Sequence, residues 1–181
     1  MFHVNPTDEQ IRHAVWIASD PNFNHHVFGG EFRHKYHGFL TQTIMADLLG
    51  VPRPIPGNDG GHDFVVGGVS VDLKTIVGTV PRKSTWPHNL ALVQYRKHDV
   101  DVYMLASINS EDGIVAFDGY IPKREIKVDE WLFVKGTKRP QANGKSMTTT
   151  CDTIEIPASA VHGIRSIKDF VDAMQTLDFH A

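Results

Sequence analysis

The chain has 181 residues, 41% of them hydrophobic and 22% charged, with a net charge of -3. That length suits one domain with a substantial core. The composition is that of an ordinary globular protein, and the charge excludes a globally basic nucleic-acid binder. The single Cys151 excludes an intrachain disulfide and a multi-cysteine zinc site. It reads as a small buried hydrophobe in a reducing compartment, taken here as the cytoplasm. The first residues, MFHVNPTDEQ, lack a basic stretch followed by an apolar run, so no signal peptide is expected. No apolar run approaches the roughly 20 residues that span a bilayer.

Thr7-Asp-Glu-Gln10 is a capping-box pattern ahead of Ile11, Ala14, Val15 and Ala18, and predicts a helix over Asp8–Ser19. Asp20-Pro21-Asn22 ends it. A second helix is expected over Gly30–Leu49, with Phe32, Tyr36, Phe39, Leu40, Ile44 and Leu48 as its stripe. Gly50 stops it, and Pro52, Pro54 and Pro56 prevent continuation. A short extended piece is expected around Arg53–Ile55.

Asp63-Phe-Val-Val-Gly-Gly-Val-Ser-Val-Asp-Leu-Lys74 reads as a β-hairpin turning at Gly67-Gly68. Its register pairs Val66 with Val69, Val65 with Ser70, Phe64 with Val71 and Asp63 with Asp72. Alternation puts Ser70, Asp72 and Lys74 on one face, and Phe64, Val66, Val69, Val71 and Leu73 on the other. Asp63 and Asp72 then stand roughly 4.5–5.5 Å apart at Cβ, a destabilising like-charge pair. A divalent cation is the natural compensation, with Lys74 beside it. Asp59, the rival first acid, lies in a turn-like Pro-Gly-Asn-Asp-Gly-Gly stretch, and the register selects Asp63 instead.

Beyond the hairpin, Gly78–Pro87 reads as loop and His88–Lys97 as helix. Val100–Ile108 is apolar over most of its length, as a buried central strand is. Further strands are expected at Ile114–Ile121, Trp131–Val134 and Thr153–Ile156. A short helix is expected to begin within Pro122–Ile126, and a last one spans Ser166–Leu177. The segment Lys123–Lys145 holds seven basic residues against three acidic ones, a local excess suited to phosphates.

This order, with an acid followed by Asp72-Leu73-Lys74 on a hairpin, resembles the PD-(D/E)xK nuclease superfamily. Asp63 matches the first acid, although Gly61-His62 rather than Pro precedes it. The resemblance covers about Gly30–Ile108. It implies an α/β fold with a mixed central sheet flanked by helices: a restriction-endonuclease-like αβββαβ core and a strand-rich extension over 109–181. It implies a DNA endonuclease that uses Mg²⁺, with Mn²⁺ as a substitute. Asp63, Asp72 and the Leu73 carbonyl would hold the metal, Glu31 would assist from the second helix, and Lys74 would serve the attacking water. Gln94 would steady the site. Oxygen ligands suit Mg²⁺, and a bound divalent ion polarises phosphate and helps form hydroxide.

Ser70 and Thr75 are weaker supporting candidates. Arg82, Lys83, Arg96, Lys97, Lys138 and Arg139 would contact the DNA backbone, and Trp86 and Trp131 could stack on bases. A homodimer suits cleavage of both strands. Two rival readings stand beside this one. One is a catalytically silent nucleic-acid-binding or assembly subunit on the same fold. The other is a histidine-based metalloenzyme built on His25, His26, His34 and His37; Glu31, His34 and His37 are spaced by three, and such steps drift around a helix.

Overall fold

The computed structural model describes residues 1–20, 32–56, 61–140 and 146–177. In chain order the elements begin with β1 (Phe2–Val4), α1 (Asp8–Ala18), α2 (Phe32–Leu49), β2 (Phe64–Val66) and β3 (Val69–Gly78). Then come β4 (His88–Ala91), α3 (Leu92–Lys97), β5 (Val102–Asn109) and β6 (Val115–Pro122). After a 3-10 turn at Lys123–Glu125 follow α4 (Val128–Trp131), β7 (Leu132–Phe133), β8 (Lys138–Pro140) and β9 (Ser146–Thr148). The last are β10 (Thr153–Ile156), β11 (His162–Gly163) and α5 (Ile167–Thr176).

The protein is mixed α/β. Its central sheet runs β1-β6-β5-β3-β2, with β11 also paired to β6. Only β3 and β5 run parallel. A parallel pair needs a crossover connection, and β4 with α3 supplies it. A smaller sheet, β4-β10-β7, and the β8-β9 ribbon complete the strands.

Alternation along β5 explains why that whole strand is apolar. Val102, Met104, Ala106 and Ile108 enter one core with Val69, Val71 and Leu73 of β3 and residues of α1, α2 and α5. Tyr103 and Leu105 enter a second core with Leu90, Leu92, Ile154 and Ile156, on the opposite face. Each such side chain, fully buried, contributes about 1.5–3 kcal/mol, so both faces of the central sheet are tied down. Asp72 and Lys74 pair with Tyr103 and Leu105 in the parallel register and so lie on the second face.

Several expectations hold. Thr7 and Gln10 form the capping box of α1, and Ser166 caps α5. The hairpin has the expected register, Phe64↔Val71, Val65↔Ser70 and Val66↔Val69. Others need correction. His88–Ala91 is a strand, not the first turn of a helix: His88 and Leu90 are buried while Asn89 is exposed, and they pair with Ile156 and Ile154 of β10. That partner lies far along the chain, so local spacing does not reveal it. No strand forms over Arg53–Ile55; Arg53 instead reaches Asp47 (2.6 Å) and Glu9 (2.8 Å), tying the segment to α2 and α1. In α2, Phe32 and Leu48 are exposed. Thr41, Thr43, Met45 and Ala46 are buried there instead, because the helix packs against both α1 and the sheet. Among the described residues, no helix is long and apolar enough to cross a membrane.

Candidate functional site at the hairpin edge

The Gly67-Gly68 turn has positive φ at both residues (60° and 87°), which glycine adopts without the cost of a Cβ. The turn fixes the register out to Phe64↔Val71; the expected Asp63–Asp72 pair is not part of it. Regular pairing stops at Phe64, and Asp63 turns inward. Its backbone N–H donates to the Val71 carbonyl (2.9 Å). Its side chain takes the next rung of the ladder: Oδ2 accepts the Leu73 N–H at 2.7 Å. Oδ1 accepts from Gln42 Nε2 of α2 at 2.8 Å.

Asp72 is buried, 3% exposed. Its Oδ2 meets Lys74 Nζ at 2.8 Å and His98 Nδ1 at 3.0 Å. Burial pushes this carboxyl up, but the His98 hydrogen bond and the Lys74 ammonium together outweigh it and hold it below the usual carboxylate range. Tyr103, beside Asp72 in register, is fully buried. Its hydroxyl is pushed well above the usual phenol range by burial and by the Asp72 charge.

The like-charge conflict read from the hairpin is therefore resolved by protein groups. Asp63 is held by an amide and a backbone N–H, and Asp72 by two cation-forming side chains. The charge conflict no longer calls for a metal; what speaks for one is the donor set. Only Oδ2 of Asp72 is bonded among the described residues. The Leu73 N–H faces the β2 side, and the carbonyl of a strand residue points to the same edge as its N–H. Past Phe64, β2 offers that carbonyl no ladder partner. Two carboxylates and a carbonyl on adjoining strand positions make a hard-oxygen set that fits Mg²⁺ or Mn²⁺.

Of the sequence candidates, Asp63, Asp72, Leu73 and Lys74 are brought together. Glu31, Asp59, His25 and His26 lie outside the described residues. Gln94 sits on α3, half-buried, and its carbonyl accepts the His98 N–H that ends the helix. His98, not Gln94, is the side chain from this segment that reaches Asp72. Thr75 meets Thr41 of α2 at 2.5 Å. Ser70 donates its hydroxyl and its N–H to Asp101, at 2.7 and 2.8 Å, locking the start of β5 to β3. Among the described residues, no three His, Cys, Asp or Glu side chains form a metal-binding group; His34 is exposed and His37 is buried.

Of the basic residues expected on DNA, Lys83, Arg96, Lys97 and Lys138 are exposed. Arg82 and Arg139 are not available in the same way, a correction with a clear cause. Arg82 is drawn inside by Asp118 (3.3 Å) and by the carbonyls of Trp86 and Pro87. Arg139 is buried against Glu155, with its guanidinium 5.1 Å from the Phe133 ring centre. Lys123, counted in the basic segment, is likewise committed: it donates to the His98 carbonyl at 2.6 Å. Trp131 packs on the second core.

No family model, no curated protein and no solved structure matches this chain.

Proposed function

We propose that this protein is a Mg²⁺-dependent phosphodiesterase of DNA, an endonuclease with Mn²⁺ as a substitute ion. One observation carries the reading. Asp63, just before β2, accepts the Leu73 N–H at 2.7 Å, next in sequence to Asp72, and Lys74 Nζ lies 2.8 Å from the Asp72 carboxylate. Asp63, Asp72 and the Leu73 carbonyl are the groups that would hold the ion. The ion, when bound, polarises the phosphate and lowers the pKa of its water.

The chain's own residues do the rest. Gln42 and the Leu73 N–H fix the Asp63 carboxylate. Lys74, 17% exposed in its side chain, is placed to orient a water and to meet charge that develops on phosphate. His98 shares Oδ2 of Asp72 with Lys74 and so leaves the other oxygen for the ion. Lys83, Arg96, Lys97 and Lys138 are the surface cations suited to phosphate contacts. A homodimer acting in the cytoplasm completes the proposal.

A second reading, a catalytically silent nucleic-acid-binding subunit, is favoured by the double pairing of Asp72 with Lys74 and His98. A supercoiled-plasmid assay with Mg²⁺, Mn²⁺ and EDTA separates the two. Nicking that needs metal and is abolished in both Asp63→Asn and Asp72→Asn supports the nuclease. DNA binding without cleavage under every condition supports the silent subunit.

A further inference from the structure

Beyond Lys74, the same face of the central sheet runs into a cavity. One row of paired residues crosses four strands there: Ile76 of β3, Ser107 of β5, Ala116 of β6 and His3 of β1. Ile76 stands two residues past Lys74 and four past Asp72, so alternation puts all three on one face. The second core, which covers Tyr103 and Leu105, stops short of this row. The loop after β3 forms a wall instead, with Val80, Pro81 and Trp86, and leaves a cavity of about 190 Å³. It lies at the carboxyl ends of β3 and β5, the parallel pair, a favoured place for ligands in α/β sheets.

The lining decides what fits. Ile76, Val80, Pro81 and Ile114 are apolar, and Trp86 adds an aromatic ring. Ile76 and Trp86 are half-buried and Val80 is 54% exposed, so a ligand can reach them. Arg82 and Asp112 also line the cavity, but both are spent. Arg82 meets Asp118 (3.3 Å), which also meets His88 (3.2 Å), and it donates to the carbonyls of Trp86 and Pro87. Asp112 accepts the Ile114 N–H at 2.9 Å and the Asn109 side-chain amide at 2.7 Å. The cavity therefore suits a neutral ligand with an apolar face. An apolar cavity of about 150 Å³ admits benzene, so this one admits a single heteroaromatic ring system. Along β3 it stands about 13 Å from Asp72, within a few nucleotides of a phosphate held there. A base paired and stacked in a duplex cannot enter such a cavity; an unstacked one can.

We propose that this cavity receives one unpaired base of the strand whose phosphate lies at Asp63 and Asp72, which makes the substrate single-stranded or locally unpaired DNA. The inference rests on the phosphodiesterase reading. Trp86 and the apolar wall hold the base by its face. Every base has such a face, so the site selects unpaired DNA and not a sequence. Lys83, exposed on the same loop, is a cation for the backbone outside the cavity.

Fluorescence anisotropy of the full chain in EDTA tests it, with a labelled oligothymidylate about twelve residues long and an abasic strand of the same length. Both strands carry the same phosphates, so a difference between them comes from the bases. Oligothymidylate is expected to bind about five- to a hundredfold more tightly, the worth of one base against an aromatic side chain. Trp86→Ala, folded by circular dichroism, removes that difference and leaves the abasic strand's affinity unchanged. Equal affinity for the two strands, or a folded Trp86→Ala that keeps the difference, overturns the assignment. So does faster cleavage in Mg²⁺ of a relaxed duplex circle than of a single-stranded circle. A Trp86→Ala that changes the mass in sedimentation and not the DNA affinity also overturns it, and gives the cavity to a second copy of the chain. The two strands on the unaltered chain decide the matter even if the variant fails to fold. Metal-dependent plasmid cleavage without base dependence rejects the cavity alone. Base-dependent binding without cleavage in any metal rejects the phosphodiesterase reading alone.

Discussion

Lys74→Met separates what the Asp72 pair does for the fold from what it does for chemistry. The Asp72 side chain is 4% exposed and that of Lys74 17%, with 2.8 Å between the charges. Removing one partner of a buried ion pair costs about 3–5 kcal/mol, because the other charge is left without compensation. Here His98 still meets Asp72 at 3.0 Å, so the loss is cut to about 2–3 kcal/mol. For a chain of this length, that lowers Tm by about 4–12 °C. Removing both charges, in Asp72→Asn with Lys74→Met, is near neutral, since a buried pair gains little over uncharged groups. Urea unfolding of the wild type, both single variants and the double variant closes a double-mutant cycle with a coupling of about 1–3 kcal/mol. Plasmid cleavage is measured on the same four proteins. The double variant is expected to be stable and inactive. A Lys74→Met stability within 0.5 kcal/mol of wild type, on the order of an ordinary surface change, refutes the claim that this pair is desolvated. Wild-type cleavage by the double variant sinks the mechanism.

Four other outcomes follow. A Cβ on Gly119 would sit 2.3 Å from the His162 carbonyl oxygen and 2.8 Å from Val161 Cγ1, so Gly119→Ala should push β11 off β6 and cost about 1–3 kcal/mol in urea unfolding. Burial holds the His88 and His37 imidazoles below the ordinary histidine range; at His88 the Asp118 hydrogen bond only partly offsets it, and at His37 the Arg33 charge adds to it. The unfolded chain then binds more protons, so stability is complete above the unfolded pKa of about 6.5 and falls as pH drops below it; His88→Gln should flatten that slope in unfolding curves at successive pH values. Lys97→Gln and Lys138→Gln should leave stability unchanged and each reduce the salt dependence of DNA binding by about one unit of slope. Tyr103→Phe removes a buried hydroxyl that has no partner among the described residues, and should raise Tm by relieving about 1–3 kcal/mol of desolvation cost; a lower Tm would show that the hydroxyl is bonded.

The hairpin was legible because its information is local. Gly67-Gly68 sets the turn, the turn sets the register, and alternation then assigns each side chain a face. β5 was legible because burial on both faces leaves one unbroken apolar run. What escaped was everything held by long-range contacts. Gln42 precedes Asp63 by 21 residues, and His98 follows Asp72 by 26. Neither carries a sequence mark of its own. Only the β3–β5 register, fixed by the Asp101 N–H on the Ser70 carbonyl at 3.1 Å, brings the end of α3 over Asp72. The β4 strand was missed for the same reason, since its partner β10 lies more than sixty residues on. Arg82 and Arg139 show the limit of counting charges. Sequence gives the sign of a side chain, but Asp118 and Glu155 decide whether it faces water.

The two polar clusters share a cause in the layering. Helices α1, α2 and α5 cover one face of the central sheet with a continuous apolar core. The other face is covered by short strands and short helices. A short cover leaves margins, and charged residues on that face can survive only there. Asp72, Lys74 and His98 occupy the β3 margin. Asp118, His88 and Arg82 occupy the β6 margin. Tyr103 and Leu105, between them, are fully buried. The apolar strip separates the two carboxylates, and each has its own charged partners. The two margins can therefore be altered independently, and variants at Lys74 and Asp118 should combine additively in stability.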